Sequence, residues 1–95
     1  MLTIYSKKDC SYCMQAETMC KKYGIPYSMA KIDEDETAYE FLVKSGHRSV
    51  PQIYIGKELF CDNGYKGMLE LGPADVKAKI NEMTGNIDPQ NLGSI

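Results

Sequence analysis

A Cys-x-x-Cys pair set between a short apolar run and a helical pattern constrains this chain more than any other feature. The pair is Cys10 and Cys13, within Lys7-Lys8-Asp9-Cys10-Ser11-Tyr12-Cys13, and the run before it is Leu2-Thr3-Ile4-Tyr5. Helical spacing begins almost at once afterwards. Cys10 is therefore expected at or just before a helix N-terminus, with Cys13 in the first turn. Backbone N–H groups there lack intrahelical partners and carry partial positive charge. The thiolate, not the thiol, attacks disulfides, and such a position favours it. Lys7 and Lys8 add to the field and Asp9 opposes it. The spacing also lets the two sulfurs close reversibly to a disulfide.

Zinc sites use the same spacing, but a structural zinc site takes about four ligands, commonly with a second close pair. Here Cys20 and Cys61 stand alone and His47 is the only histidine. Thiol–disulfide exchange is the expected chemistry, and no resident metal is expected.

The 95 residues suffice for one small core, expected over residues 1–85 and followed by a mobile tail, 86–95. A net charge of −2 does not suggest a nucleic-acid partner. No apolar run approaches the roughly 18–20 residues of a membrane span. The start of the chain does not read as an export signal, so its thiols are expected in a reducing, cytoplasmic setting.

Leu2 to Ser6 reads as a buried strand. The helix after Cys10 runs to about Tyr23, with Ala16, Met19, Cys20 and Tyr23 on one face and Gly24 ending it. Cys20 is most simply a small buried hydrophobe; the alternative is a regulatory thiol. Ile25 to Ile32 reads as a second strand, with Pro26 at its start. Asp33-Glu34-Asp35-Glu36 is the acidic opening of a helix. Ala38, Phe41, Leu42 and Ser45 mark its inward stripe, and Gly46 ends it. A third strand follows Pro51, with Ile53 and Ile55 on one face and Tyr54 on the other. Gly56-Lys57 fits a two-residue hairpin turn, and Glu58 to Cys61 returns. Asp62 to Gly67 is rich in turn formers. A short helix near Tyr65–Leu71 and a last helix after Gly72 complete the pattern. Pro73 lies in the last helix's first turn, Val76, Ile80 and Met83 form its stripe, and Gly85 closes it. The first two strands should be parallel with a right-handed crossover. The whole is an α/β fold, a four-stranded mixed sheet flanked by helices.

From Met1 to about Gly85 the sequence resembles the dithiol glutaredoxins. The likeness rests on Cys10-Ser11-Tyr12-Cys13, on Ser49-Val50-Pro51 and on the turn around Asn63-Gly64, in the family's order and at family-like distances. Thioredoxins are less similar: they carry a tryptophan before the first cysteine and Gly-Pro between the pair, and this chain has no tryptophan.

The resemblance implies a thioredoxin-like fold and an oxidoreductase that uses glutathione as co-substrate. Such an enzyme passes electrons to protein disulfides and glutathione mixed disulfides and serves cell redox homeostasis. Cys10 would be the nucleophile and Cys13 the resolving thiol. Pro51 would be cis, with its loop facing Cys10 and the Val50 backbone meeting the cysteinyl part of glutathione. Lys7 matches the lysine that meets the glycyl carboxylate, and Tyr12 the aromatic residue beside the groove. Arg48 and Gln52 lie near enough to assist. The turn and helix start at Asn63, Gly64 and Tyr65 would hold the γ-glutamyl carboxylate through N–H groups. Asn63 replaces the first glycine of the family's Gly-Gly turn, a substitution that the left-handed region tolerates. The acidic residue that usually follows is absent, the aligned stretch being Tyr65-Lys66-Gly67. Weaker or altered glutathione affinity is expected. Ser11 also fits members in which two subunits and two glutathiones share a [2Fe–2S] cluster through the first cysteine. Cys10 as a cluster ligand is thus the alternative reading. Ribonucleotide reductase is a common client in the family, though nothing in this sequence selects it. Cys61 reads as a buried strand residue or as an accessory thiol beside the groove.

Overall fold

A computed structural model of the chain describes residues 2–84. Its elements are β1 (Leu2–Ser6), α1 (Ser11–Tyr23), β2 (Tyr27–Lys31), α2 (Glu36–Lys44), β3 (Gln52–Ile55), β4 (Glu58–Leu59) and α3 (Tyr65–Thr84). The strands form one sheet in the order β2-β1-β3-β4. β1 runs parallel to β2 and antiparallel to β3, and β3 pairs antiparallel with β4. The first cysteine thus leaves the end of a central strand, which fixes its position more firmly than a sheet edge would.

Both faces of the sheet are covered, and alternation along β1 decides which residues go where. Leu2 and Ile4 are fully buried and join Ala16, Met19 and Cys20 of α1, Ile53 of β3, Phe60, and Met68 and Val76 of α3 in the main core. Tyr5 points the other way. There it stacks on Phe41 of α2 at 5.2 Å, and Phe41 meets Tyr54 edge-on at 5.0 Å. Tyr54 therefore opposes Ile53, as the strand period requires.

The helix ends follow local chemistry. Asp35 caps α2, accepting from the N–H of Thr37 at 3.0 Å and of Ala38 at 3.3 Å; such a cap stabilises by about 1 kcal/mol. Gly24 ends α1 in the left-handed conformation, φ 68°, which costs glycine nothing sterically. Ser45 is not on the inward stripe: it is exposed at the C-cap of α2. The chain leaves helical spacing there, so a position four beyond Phe41 no longer faces the sheet. The returning strand covers only Glu58–Leu59, although the Phe60 N–H still reaches the Ile53 carbonyl at 2.8 Å. α3 is broken at Gly72 (φ 80°, ψ 168°) just before Pro73, so the two expected helices are its two segments. Val76 is fully buried, and Ile80 and Met83 pack against the core. Gly85 and the tail 86–95 lie outside the described residues. Among the described residues no helix is long and apolar enough to cross a membrane.

Candidate active site

Cys10 is the N-cap of α1, in extended backbone, and its Sγ accepts the Cys13 N–H at 3.2 Å. The two cysteines are bonded to each other as a disulfide, with Cα atoms 5.3 Å apart. Cys13 is 2% exposed and Cys10 is half-buried, so Cys10 is the sulfur that an incoming molecule can reach. The loop before it is tied down: the Lys8 N–H donates to the Asp33 carboxylate at 3.0 Å.

The Val50–Pro51 peptide is cis, and the Val50 carbonyl oxygen lies 4.0 Å from Cys10 Sγ. Two side-chain contacts hold this loop. Gln52, itself buried, donates from Nε2 to the Ser49 carbonyl at 3.0 Å. His47 Nε2 and the Tyr54 hydroxyl lie 2.6 Å apart. The third piece is the turn at Asn63 (φ 64°) and Gly64 (φ 52°), which leads into α3. The Asn63 carbonyl accepts the Lys66 N–H at 3.1 Å and the Gly64 carbonyl accepts the Met68 N–H at 3.1 Å. A Cβ built on Gly64 would collide with the Pro51 carbonyl oxygen. The turn is therefore packed directly on the cis-proline loop.

These pieces enclose two cavities with Val50 in the wall of both. The larger, about 680 Å³, is lined by Tyr12, Val50, Pro51, Asn63, Tyr65 and Lys66, and also by Asp62 and His47. The smaller, about 280 Å³, is lined by Lys7, Arg48 and Val50. Of the residues singled out from the sequence, Tyr12, Pro51, Asn63 and Tyr65 thus fall on one side of Val50 and Lys7 and Arg48 on the other, whereas Cys10 and Cys13 line neither cavity. Tyr12 is 47% exposed. It stacks on Tyr65 with centroids 6.0 Å apart, and the Lys66 ammonium sits 5.5 Å over its ring. Asp62 and His47 had no motif to mark their place in this groove. No three of His, Cys, Asp or Glu come together among the described residues as a metal would require. A [2Fe–2S] cluster would have from this chain only the Cys10 ligand that the resemblance assigns.

The other two thiols are buried. Cys20 is fully enclosed, and burial, with Glu17 adding to it, pushes its thiol up to about 11. Burial also pushes Cys61 up to about 11, against the pull of Lys79. Cys61 donates from Sγ to the Gly64 carbonyl at 3.4 Å, so it braces the turn from beneath. Reduced native protein treated with iodoacetamide near pH 8 should be alkylated at Cys10, with Cys20 and Cys61 labelled only after unfolding. The same shifts predict alkaline sensitivity. An unfolded thiol ionises near 9.0 and these folded ones near 11. Their contribution to stability is complete below the lower value and is lost as pH rises to the upper. Thermal melts across that window check it.

A family model described as Glutaredoxin matches residues 2–60. N-acetyl-S-hydroxy-L-cysteine reductase of Bacillus subtilis is 35% identical over 72 residues, 75% of this chain and 73% of that protein. Among solved structures, a buckwheat glutaredoxin–glutathione complex superposes with TM-score 0.68 at 22% identity, covering 85% of this chain and 76% of that one. The glutaredoxin-like NrdH-redoxin of Escherichia coli, described as having a thioredoxin-like activity profile, gives TM-score 0.55 at 29% identity over 58% of this chain and 72% of that one. The fold is thioredoxin-like.

Proposed function

This chain belongs to the glutaredoxin family of thiol oxidoreductases, and we propose that it reduces protein disulfides and glutathione mixed disulfides through Cys10 and Cys13, with glutathione as reductant. The observation that carries the choice of glutathione is the pair of cavities meeting at Val50. One holds Asn63 and Tyr65 at the start of α3 and the other Lys7 and Arg48. Glutathione is an extended tripeptide with a carboxylate at each end and its thiol in the middle. Laid across Val50, it brings its glycyl carboxylate to Lys7 and Arg48, its γ-glutamyl carboxylate to the N–H groups at the start of α3, and its sulfur to Cys10. Asp62 lines the larger cavity and supplies a carboxylate for the γ-glutamyl ammonium, although not at the family's usual position.

The chemistry follows from the two sulfurs' unequal access. Cys10 thiolate attacks a client disulfide; a Cys10–client disulfide forms and the other client sulfur leaves as thiolate. Cys13 then attacks Cys10, releasing the client reduced and leaving the pair oxidised. Two glutathiones restore the dithiol, the first forming a mixed disulfide on Cys10 and the second removing it as glutathione disulfide. A glutathione mixed disulfide needs only Cys10. The substrate named for the Bacillus subtilis relative, an S-hydroxycysteine, presents a comparable electrophilic sulfur from which hydroxide would leave.

A second reading is favoured by Lys66, which stands where an acidic residue would meet glutathione's ammonium. The Escherichia coli relative's thioredoxin-like profile then points to a protein dithiol as the electron source. Oxidised protein is offered glutathione coupled to glutathione reductase, or thioredoxin reductase with NADPH. Turnover with the first and not the second is expected; the reverse would overturn glutathione as reductant. Lys66→Asp should lower the KM for glutathione about fivefold, the worth of about 1 kcal/mol. An unchanged or higher KM would count against that placement of the tripeptide.

A further inference from the structure

Cys13 lines neither cavity at Val50. It lines a third, of about 650 Å³, together with Cys10, Met14, Glu17 and Met29. This matters because Cys13 is almost wholly buried, so bulk water is not at hand to take its proton. To resolve a mixed disulfide it must lose that proton. Cys10, bonded to the client at that moment, cannot take it.

Glu17 is placed for the task. It lies four residues beyond Cys13 on α1, on the same helix face, and it is half-buried. Its Oε2 accepts the Tyr27 hydroxyl of β2 at 2.8 Å, which holds the carboxylate at the helix–sheet junction rather than out in solvent. The neighbouring carboxylates of this cavity are otherwise engaged. Asp33 accepts the Lys8 N–H, and Glu34 pairs with Lys31 at 4.0 Å. Asp9 remains, beside Cys10 in the loop. The cavity's cations are Lys7, Lys8 and Lys31. The other thiol facing Glu17, Cys20, stays protonated through neutral pH.

We propose that Glu17 accepts the Cys13 proton, directly or through one water in this cavity, as Cys13 resolves the mixed disulfide. The step rests on the resolving role given to Cys13 above. The Cys13 S–H bond breaks and its proton passes to the Glu17 carboxylate. The sulfur's electron pair forms the bond to Cys10 Sγ, and the Cys10–client bond breaks with the client leaving as thiolate. The client gains two electrons and the dithiol loses them. The Glu17 acid then returns its proton to the departing thiolate or to solvent. A carboxylate is a weaker base than a thiolate, so the proton moves as the sulfur–sulfur bond forms.

The test is a ratio measured on the full chain: the rate of insulin disulfide reduction, which needs both cysteines, over the rate of exchange with a small glutathione mixed disulfide, which needs Cys10. Glu17→Gln should lower this ratio at least about tenfold near pH 7. The deficit should shrink as pH rises, because hydroxide then takes the Cys13 proton without help from a carboxylate. Glu17→Asp should restore part of the ratio, and Tyr27→Phe, which keeps the carboxylate but frees it, should lower the ratio less than Glu17→Gln does. A ratio within about twofold of wild type in Glu17→Gln, a deficit that does not change with pH, or an equal deficit in Asp9→Asn would overturn the proposal. Cys13→Ser separates the two levels. If it leaves the ratio intact, Cys13 is not the resolving thiol at all. If it abolishes the ratio while Glu17→Gln does not move it, only the role of Glu17 falls.

Discussion

Cys10→Ser is expected to leave no measurable activity on any disulfide, a loss of at least on the order of 10³-fold, as removal of a covalent nucleophile commonly brings. The reason is access. Cys10 is the half-buried sulfur at the helix start, within 4.0 Å of the Val50 carbonyl, whereas Cys13 is 2% exposed and cannot meet a bulky client. A serine hydroxyl at the same N-cap would still accept the Cys13 N–H, so the helix should keep its start and the protein its fold. Cys13→Ser is the informative partner. It should retain exchange with glutathione mixed disulfides and lose the reduction of protein disulfides, where it would accumulate trapped Cys10–client adducts. Mass spectrometry of those adducts and a glutathione-coupled assay read the two outcomes. A Cys13 variant inactive on glutathione mixed disulfides would show that the two thiols do not divide the work in this way.

The features of this site that could be read from the chain are those set by neighbours in sequence. The cap at Cys10 and the end of α1 at Gly24 each depend on a few adjacent residues and appear in the structure, and of the acidic run 33–36 the N-cap Asp35 and Glu36 open α2 while Asp33 and Glu34 lie in the turn before it. The cis state of Pro51 is of another kind. No local pattern selects the isomer, and only the likeness of Ser49-Val50-Pro51 to a known family suggested it. The division of the groove at Val50 was not legible, because it depends on how the loop after α2 crosses in front of Cys10. Asp62 and His47 enter the groove through the meeting of that loop with the start of α3. No motif in the sequence marks Glu17. Its bond to Tyr27 joins residues ten apart in sequence, across a helix–strand packing that spacing alone does not fix. Ser45 fell off its expected face because the helical period was carried one residue past the helix end.

Gly64→Ala should strongly destabilise the protein. Two costs add there. Gly64 has φ 52°, a left-handed conformation that costs an alanine about 1–2 kcal/mol. The new methyl would also strike the Pro51 carbonyl oxygen, with the Pro51 carbonyl carbon 3.1 Å away, and overpacking of that sort costs about 1–3 kcal/mol. Against a stability of about 5–15 kcal/mol, a combined loss of about 2–5 kcal/mol should lower Tm by at least about 10 °C. Gly24→Ala provides the comparison, since Gly24 also has positive φ, 68°, but nothing lies within 4 Å of its Cβ position. It should pay the conformational cost alone. The excess in Gly64→Ala then measures how closely the turn is seated on the cis-proline loop. That seating also aligns the Asn63–Gly64 turn with Val50, so the KM for glutathione should rise more than about tenfold in Gly64→Ala, the worth of about 1.4 kcal/mol. In Gly24→Ala, at the far end of α1, it should hardly change. Equal melting temperatures in the two variants would mean that the turn yields freely, and the groove would then owe its shape to the proline loop alone.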